Sequence, residues 1–130
     1  MIWLEEEGWV VARDDERQPY CTLVGGMGWS FELTGEETAH LVAQVERLRD
    51  QVQLCATELM EEETLRCKAV CAWLELEMTG LPQTFELRLR LLSGRGAEGI
   101  WPVKHGKVVL EALGRLSDKV AVRVSPVDNE

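Results

Sequence analysis

Residues 29–60, WSFELTGEETAHLVAQVERLRDQVQLCATELM, hold the change of period on which the fold depends. Trp29, Phe31 and Leu33 alternate with Ser30 and Glu32, which is the period of a half-buried strand. At Thr34 the period changes. Thr34 and Glu37 form a capping-box pattern, and Glu36 and Glu37 suit the positive end of a helix dipole. Leu41, Val45, Leu48, Val52, Cys55 and Leu59 then follow in a heptad-like stripe, with Gln44, Glu46, Arg47, Arg49 and Gln53 off it. The pattern predicts a helix over residues 35–60, about 39 Å long at roughly 1.5 Å per residue. A helix of that length has to pack against another helix or cross a sheet.

Towards the N-terminus, WVVAR (Trp9–Arg13) stops at a polar turn segment, residues 14–19. YCTLV (residues 20–24) resumes with β-prone residues. Gly25-Gly26-Met27-Gly28 lets the chain turn, because glycine tolerates positive φ. With residues 29–33 these make three predicted antiparallel strands.

Towards the C-terminus, residues 65–72 fit a helical turn and a twisted strand equally. Leu74, Leu76 and Met78 alternate with Glu75 and Glu77, and Phe85, Leu87, Leu89 and Leu91 alternate with Glu86, Arg88 and Arg90. Residues 79–82 break the chain between them, so the two runs predict a hairpin with one shared apolar face. The expected pairing sets Glu75 opposite Arg88 and Trp73 opposite Arg90. Gly94-Arg95-Gly96 is a turn, Gly99-Ile100-Trp101 a short strand, and Val108, Val109, Ala112, Leu113 and Leu116 mark a second helix. Val120 to Val124 alternates weakly, and residues 117–130 read as a loose tail.

Both halves share a plan of strands, a glycine turn, Gly-Trp or Gly-x-Trp, then an amphipathic helix. The expected class is α+β, with antiparallel sheets, long helices and two β-α pseudo-repeats (8–60 and 64–116) in one domain over residues 1–130. A chain of 130 residues with 45% apolar and 28% charged residues suits a single core. Five tryptophans imply a built core or a large contact surface.

No apolar run approaches the roughly 20 residues that span a bilayer, and the acidic start at Glu5-Glu6-Glu7 is unlike a signal or transit peptide. These features predict a cytoplasmic protein without membrane contact. Cys21, Cys55, Cys67 and Cys71 then read as reduced, buried thiols. The net charge of −9 is uneven. Residues 1–63 carry 4 Lys and Arg against 15 Asp and Glu, and residues 64–130 carry 10 against 8. Any polyanion would have to bind the second half.

The glycine run lacks the lysine and following helix of a phosphate loop, so it reads as a hairpin turn. Cys67 and Cys71 lie four apart, while His40 and His105 stand alone, which is no metal array and no nucleophile–base pair. The acidic runs 5–7, 14–16 and 61–63 read as solvated surface. No catalytic residue, metal ligand or cofactor is assigned. The candidate binding cluster is Arg88, Arg90, Arg95, Glu98, Trp101 and Lys104, with His105, Lys107 and Trp73 nearby. Arginines interleaved with aromatics suit single-stranded nucleic acid. The structural alternative pairs Arg88 with Glu75, lays Arg90 over Trp73 and joins Arg95 to Glu98.

Pro19-Tyr20, Leu23-Val24-Gly25-Gly26, Trp29, Glu32-Leu33-Thr34, Leu59-Met60-x-Glu62-Glu63, Trp73-Leu74-Glu75 and Gly94-Arg95-x-x-Glu98-Gly99-x-Trp101 occur in this order. Together they resemble a small cyanobacterial family of uncharacterised proteins, domain of unknown function 1818, over about residues 8–116. The resemblance implies the fold shared by Whirly proteins and the transcriptional coactivator positive cofactor four, a single-stranded DNA-binding regulator fold. Val10 departs from it, since family members tend to carry arginine after the first tryptophan. The family implies no activity.

The expectation is therefore a non-catalytic binding or regulatory module that contacts another macromolecule, a protein before any other, through its second half. The alternative is weak single-stranded nucleic-acid binding through Arg88, Arg90, Arg95 and Trp101. An unrecognised enzyme ranks third. Oligomeric state is left open.

Overall fold

A computed structural model describes residues 1–57, 64–92 and 94–117. Its elements run β1 (Ile2–Glu6), β2 (Trp9–Arg13), β3 (Tyr20–Gly26), β4 (Trp29–Thr34), α1 (Gly35–Ala56), β5 (Leu65–Val70), β6 (Leu74–Leu81), β7 (Thr84–Leu91), β8 (Glu98–Trp101), α2 (Val103–Gly114) and a 3-10 turn, Arg115–Ser117. The strands form two four-stranded antiparallel sheets, β1-β2-β3-β4 and β5-β6-β7-β8. The class is α+β, as the periods predict.

The three strands expected before α1 are present, and Met27-Gly28 turns the chain between β3 and β4, with Gly28 at φ +83°. A fourth strand, β1, was not expected. Its run of glutamates hides the alternation of inward Ile2 and Leu4 with outward Trp3 and Glu5. Gly8 turns the chain into β2 at φ +97°, and a Cβ there would lie 2.5 Å from His105 Nε2.

α1 starts as its sequence dictates. Thr34 Oγ1 accepts from Glu37 N at 3.1 Å, and Glu37 Oε1 accepts from Thr34 N at 2.9 Å, which completes the capping box. Leu41, Val45, Leu48 and Val52 are buried along its stripe. The described helix runs to Ala56, after which Thr57 turns its N–H and hydroxyl back to the Leu54 carbonyl, and the expected end at Met60 lies outside the described residues. The expected stripe position Leu59 and the acidic run 61–63 lie outside the described residues, as do residues 118–130 of the expected tail.

The open segment is a strand. Leu65, Cys67 and Ala69 face inward from β5, and Arg66, Lys68 and Val70 face outward. β6 and β7 form the expected hairpin in a different register, with Glu75 opposite Arg90 and Glu77 opposite Arg88. The turn closes on Pro82-Gln83, where Leu81 pairs with Thr84. Trp73 lies ahead of β6 and stacks on His40 at 4.8 Å rather than under Arg90. α2 starts at Val103, earlier than the apolar stripe implied, because the Pro102 carbonyl accepts the first helical N–H groups. Its buried face holds Gly106, Val109, Leu110, Ala112 and Leu113, and Val108 is exposed. Gly106 lets α2 approach β7, since a Cβ there would meet the Phe85 carbonyl oxygen at 1.8 Å.

One apolar cluster runs through both halves. It joins Val11, Val24 and Leu33 of the first sheet, the α1 stripe, Leu76, Met78, Leu87 and Leu89 of the second sheet, and Val109 and Leu113 of α2. Each sheet therefore has one face against this core and one face turned outward.

Candidate functional site

The predicted binding residues do not assemble into one site. Arg88 and Arg90 lie on the outer face of the second sheet in two cross-strand rows, Lys68–Glu77–Arg88–Ile100 and Val70–Glu75–Arg90–Glu98. The central strand supplies the carboxylates and its neighbours the cations. Arg66 Nε reaches Glu77 at 2.6 Å, Arg90 reaches Glu75 at 3.0 Å, and Lys68 reaches Glu75 at 3.3 Å. Arg88 Nε lies 3.2 Å from Glu98, and its terminal nitrogen lies 3.9 Å from Glu77. The flanking side chains cover the carboxylates so well that Glu75 and Glu77 are only 7% and 6% exposed. The hydrogen bond from Arg66 holds the Glu77 carboxyl below the ordinary carboxylate value and raises Arg66 in turn. Four cations and four glutamates (Glu75, Glu77, Glu86, Glu98) share this face, so it carries no excess positive charge.

Arg95 does not pair with Glu98. Its guanidinium donates to the Glu32 carbonyl at 2.7 Å and to Glu37, and it lies over the Tyr20 ring at 5.2 Å. It thus ties the loop before β8 to the capping box of α1. Trp101 is fully buried, and its Nε1 donates to the Gly25 carbonyl at 2.9 Å. Trp29 Nε1 donates to the Ile100 carbonyl at 3.2 Å, and its ring takes the space where a Gly99 Cβ would stand, 2.2 Å away. Arg95 and Trp101 are joints between the two sheets. Lys104 is exposed in the first turn of α2, on the opposite side of the second sheet from Arg88.

The cysteines are free thiols. Cys21 and Cys67 are buried as expected, and Cys55 and Cys71 only partly so. Burial, with Cys55 alongside, pushes the Cys67 thiol up. Among the described residues no group of three or more His, Cys, Asp and Glu is placed to hold a metal ion, and no helix is long and apolar enough to cross a membrane.

The feature that sequence reasoning missed is the outer face of the first sheet. Its rows are Trp3–Ala12–Leu23–Glu32 and Glu5–Val10–Gly25–Ser30. Trp3 is 54% exposed, and Met1, Trp3, Ala12, Cys21 and Leu23 line a shallow hollow of about 60 Å³ together with the charged Arg13, Asp14 and Arg17. A signal existed. Strands β2 and β3 are apolar at consecutive positions (Val10-Val11-Ala12 and Leu23-Val24), which is the composition of a strand covered on both faces. A larger cleft of about 350 Å³ lies between α1 and α2, lined by Arg49, Val52, Gln53, Phe85, Lys107 and Leu110 among others.

The family profile named Domain of unknown function (DUF1818) matches residues 4–116, most of the chain. The chain belongs to the DUF1818 family. The crystal structure of a protein of unknown function from the cyanobacterium Prochlorococcus sp. NATL2A, attributed there to a DUF155 family, superposes on this DUF1818 chain with a TM-score of 0.80. The two are 32% identical, over 91% of this chain and 100% of the other. No curated protein matches the sequence. Several residues that carry the family resemblance meet at the joint just described. Tyr20, Trp29, Arg95, Gly99 and Trp101 bring the DUF1818 sheets together rather than lining a cleft.

Proposed function

We propose that this DUF1818 protein is a non-catalytic binding module whose partner is another protein, and that it meets that partner on the outer face of the first sheet rather than through the second half. One observation carries the reading. Trp3 stands 54% exposed on an apolar strip of an antiparallel sheet, beside a Met1 that is 70% exposed. Aromatic side chains set on a rigid face supply contact area at low entropic cost, and exposed apolar patches of this kind mark interaction sites. The paired cations of the second sheet support a protein partner over single-stranded nucleic acid. The order of four strands and a helix, repeated, supports one domain of two β-α units in the manner of Whirly proteins and positive cofactor four.

The test is a comparative capture from a cyanobacterial extract. Wild type and Arg88→Ala should retain the same stoichiometric partner, and Trp3→Lys should lose it. A partner profile that ignores Trp3→Lys but changes with Arg88→Ala refutes the placement on the first sheet.

A further inference from the structure

We infer that the partner on the first sheet is an extended, lysine- or arginine-rich segment that adds as a strand to the open edge of β1; this rests on the reading of Trp3 as a contact residue. Among the described residues β1 has one strand neighbour, β2, so one row of its N–H and C=O groups has no ladder partner. Backbone groups of this kind are a template for strand addition, which gives affinity through main-chain hydrogen bonds and specificity through alternate side chains. Side chains on an added strand fall alternately on the two faces of the sheet. Those on the outer face would lie beside Trp3 and the hollow whose apolar wall is Met1, Ala12 and Leu23 and whose charged wall is Arg13, Asp14 and Arg17.

Charge selects the sign of the segment. β1 carries Glu5 and Glu6, Glu7 follows in the turn, and all three are exposed. No Lys, Arg or His lies within residues 1–12, and Trp3 Nε1 already donates to Glu5 Oε1 at 2.9 Å, so the carboxylate stands beside the indole. Two cations, Arg13 and Arg17, line the same hollow, and both are committed, Arg13 to Asp15 at 2.8 Å and Arg17 to Glu32 at 3.0 Å. A second copy of the chain would bring another Glu5-Glu6-Glu7 run to this edge, with a net charge of −9 on each molecule. Like charges across a strand pair are unfavourable, and opposite charges across it stabilise the pair and speed encounter. A basic strand satisfies the backbone, the indole and the three carboxylates together.

The probes are two short fluorescent peptides, one alternating lysine with valine and one alternating glutamate with valine, added to the full chain. Anisotropy should give at least about tenfold tighter binding of the lysine peptide at low salt, falling as salt screens the carboxylates. Hydrogen exchange should slow at alternate amides of β1 when the lysine peptide is present. Methylating alternate amide nitrogens of that peptide should abolish binding, and Trp3→Ser should weaken it several-fold. Equal binding of the two peptides overturns the charge argument. Binding without protection of β1 amides overturns strand addition. Light scattering that shows a dimer dissolved by Trp3→Lys makes a second copy the occupant and overturns the inference too. If the peptides fail while Trp3-dependent capture persists, only this inference falls. Loss of the Trp3 dependence removes the reading beneath it.

Discussion

Each sheet turns one face to the core, and the two remaining faces differ in what covers their central strands. On the second sheet the central strand carries Glu75 and Glu77, and charged neighbours cover them from both sides: Arg66 and Lys68 from β5, Arg88 and Arg90 from β7. On the first sheet the central strands carry Val10, Ala12 and Leu23, which are uncharged, and their cover is mixed, with Trp3 of the edge strand and Met1 before it on one side and the Arg17–Glu32 pair on the other. Ala12 is 4% exposed beneath side chains that are themselves mostly in water. The charged arrangement is self-sufficient, because its four cations each reach Glu75, Glu77 or Glu98 within the same sheet. The other leaves an indole and a methionine at the surface with half their contacts unused. Basic residues drew attention to the sheet whose charges are paired. Charge on a strand face signals a site only when its neighbours fail to neutralise it.

The largest expected effect strikes the charged face. Glu77→Ala removes the acceptor of Arg66 and a neighbour of Arg88, and leaves cations facing one another around a gap on the central strand. The loss should be about 2 kcal/mol in urea unfolding, below the full cost of breaking a buried pair because Arg66 reaches water. A loss below about 0.5 kcal/mol would mean that the ladder is ordinary solvated surface, and the contrast between the faces would collapse.

A smaller effect separates the charge of Glu77 from its shape. Its carboxyl is held below the ordinary value, chiefly by the hydrogen bond from Arg66. A depressed carboxylate stabilises the fold at all pH above the unfolded value, about 4.3, and that contribution is lost as pH falls through the lower folded value. Wild type should therefore lose stability in acid more steeply than Glu77→Gln, by no more than about 1.4 kcal/mol per pH unit for one proton. Parallel acid limbs in the two proteins would assign the slope to other carboxylates.

What could be read beforehand follows from where each signal resides. The α1 stripe and its capping box are local, written within a few residues of each other, and both are present. The β6–β7 hairpin was legible as a pair of alternating runs, but its register was not. A shift that keeps the same faces aligned satisfies the apolar pattern equally well, and the turn residues decide. Here Pro82-Gln83 takes the turn, so Arg90 rather than Arg88 stands opposite Glu75. The partners of Arg95 and Trp101 were beyond reach for another reason. Arg95 meets Glu37 across 58 positions of sequence, and Trp101 meets Gly25 across 76. No periodicity reports a contact at that range, so Glu98, only three positions away, was the nearest opposite charge that the sequence offered to Arg95. The first-sheet face was legible in composition, through consecutive apolar residues in β2 and β3, but only knowing that the other face of those strands is the core gives that pattern a meaning.

The smallest expected effect is the one that sharpens the comparison most. Trp3→Ser removes an indole that is 54% exposed, lies on an edge strand and makes its hydrogen bond to an exposed glutamate. Exposed positions of this kind change stability by about 0.5 kcal/mol, and the half of the ring that covers Ala12 raises the expectation to about 1 kcal/mol. The same substitution should weaken binding on this face several-fold, because an exposed aromatic anchor contributes to the complex and little to the free protein. Stability and binding then separate at Trp3, whereas at Glu77 the effect is on stability alone. If urea unfolding instead shows a loss of more than about 2 kcal/mol for Trp3→Ser, the indole is a structural lid on β2, as the arginines are on β6. The two outer faces would then be closed by the same logic, and the first sheet would have no claim to be the contact surface.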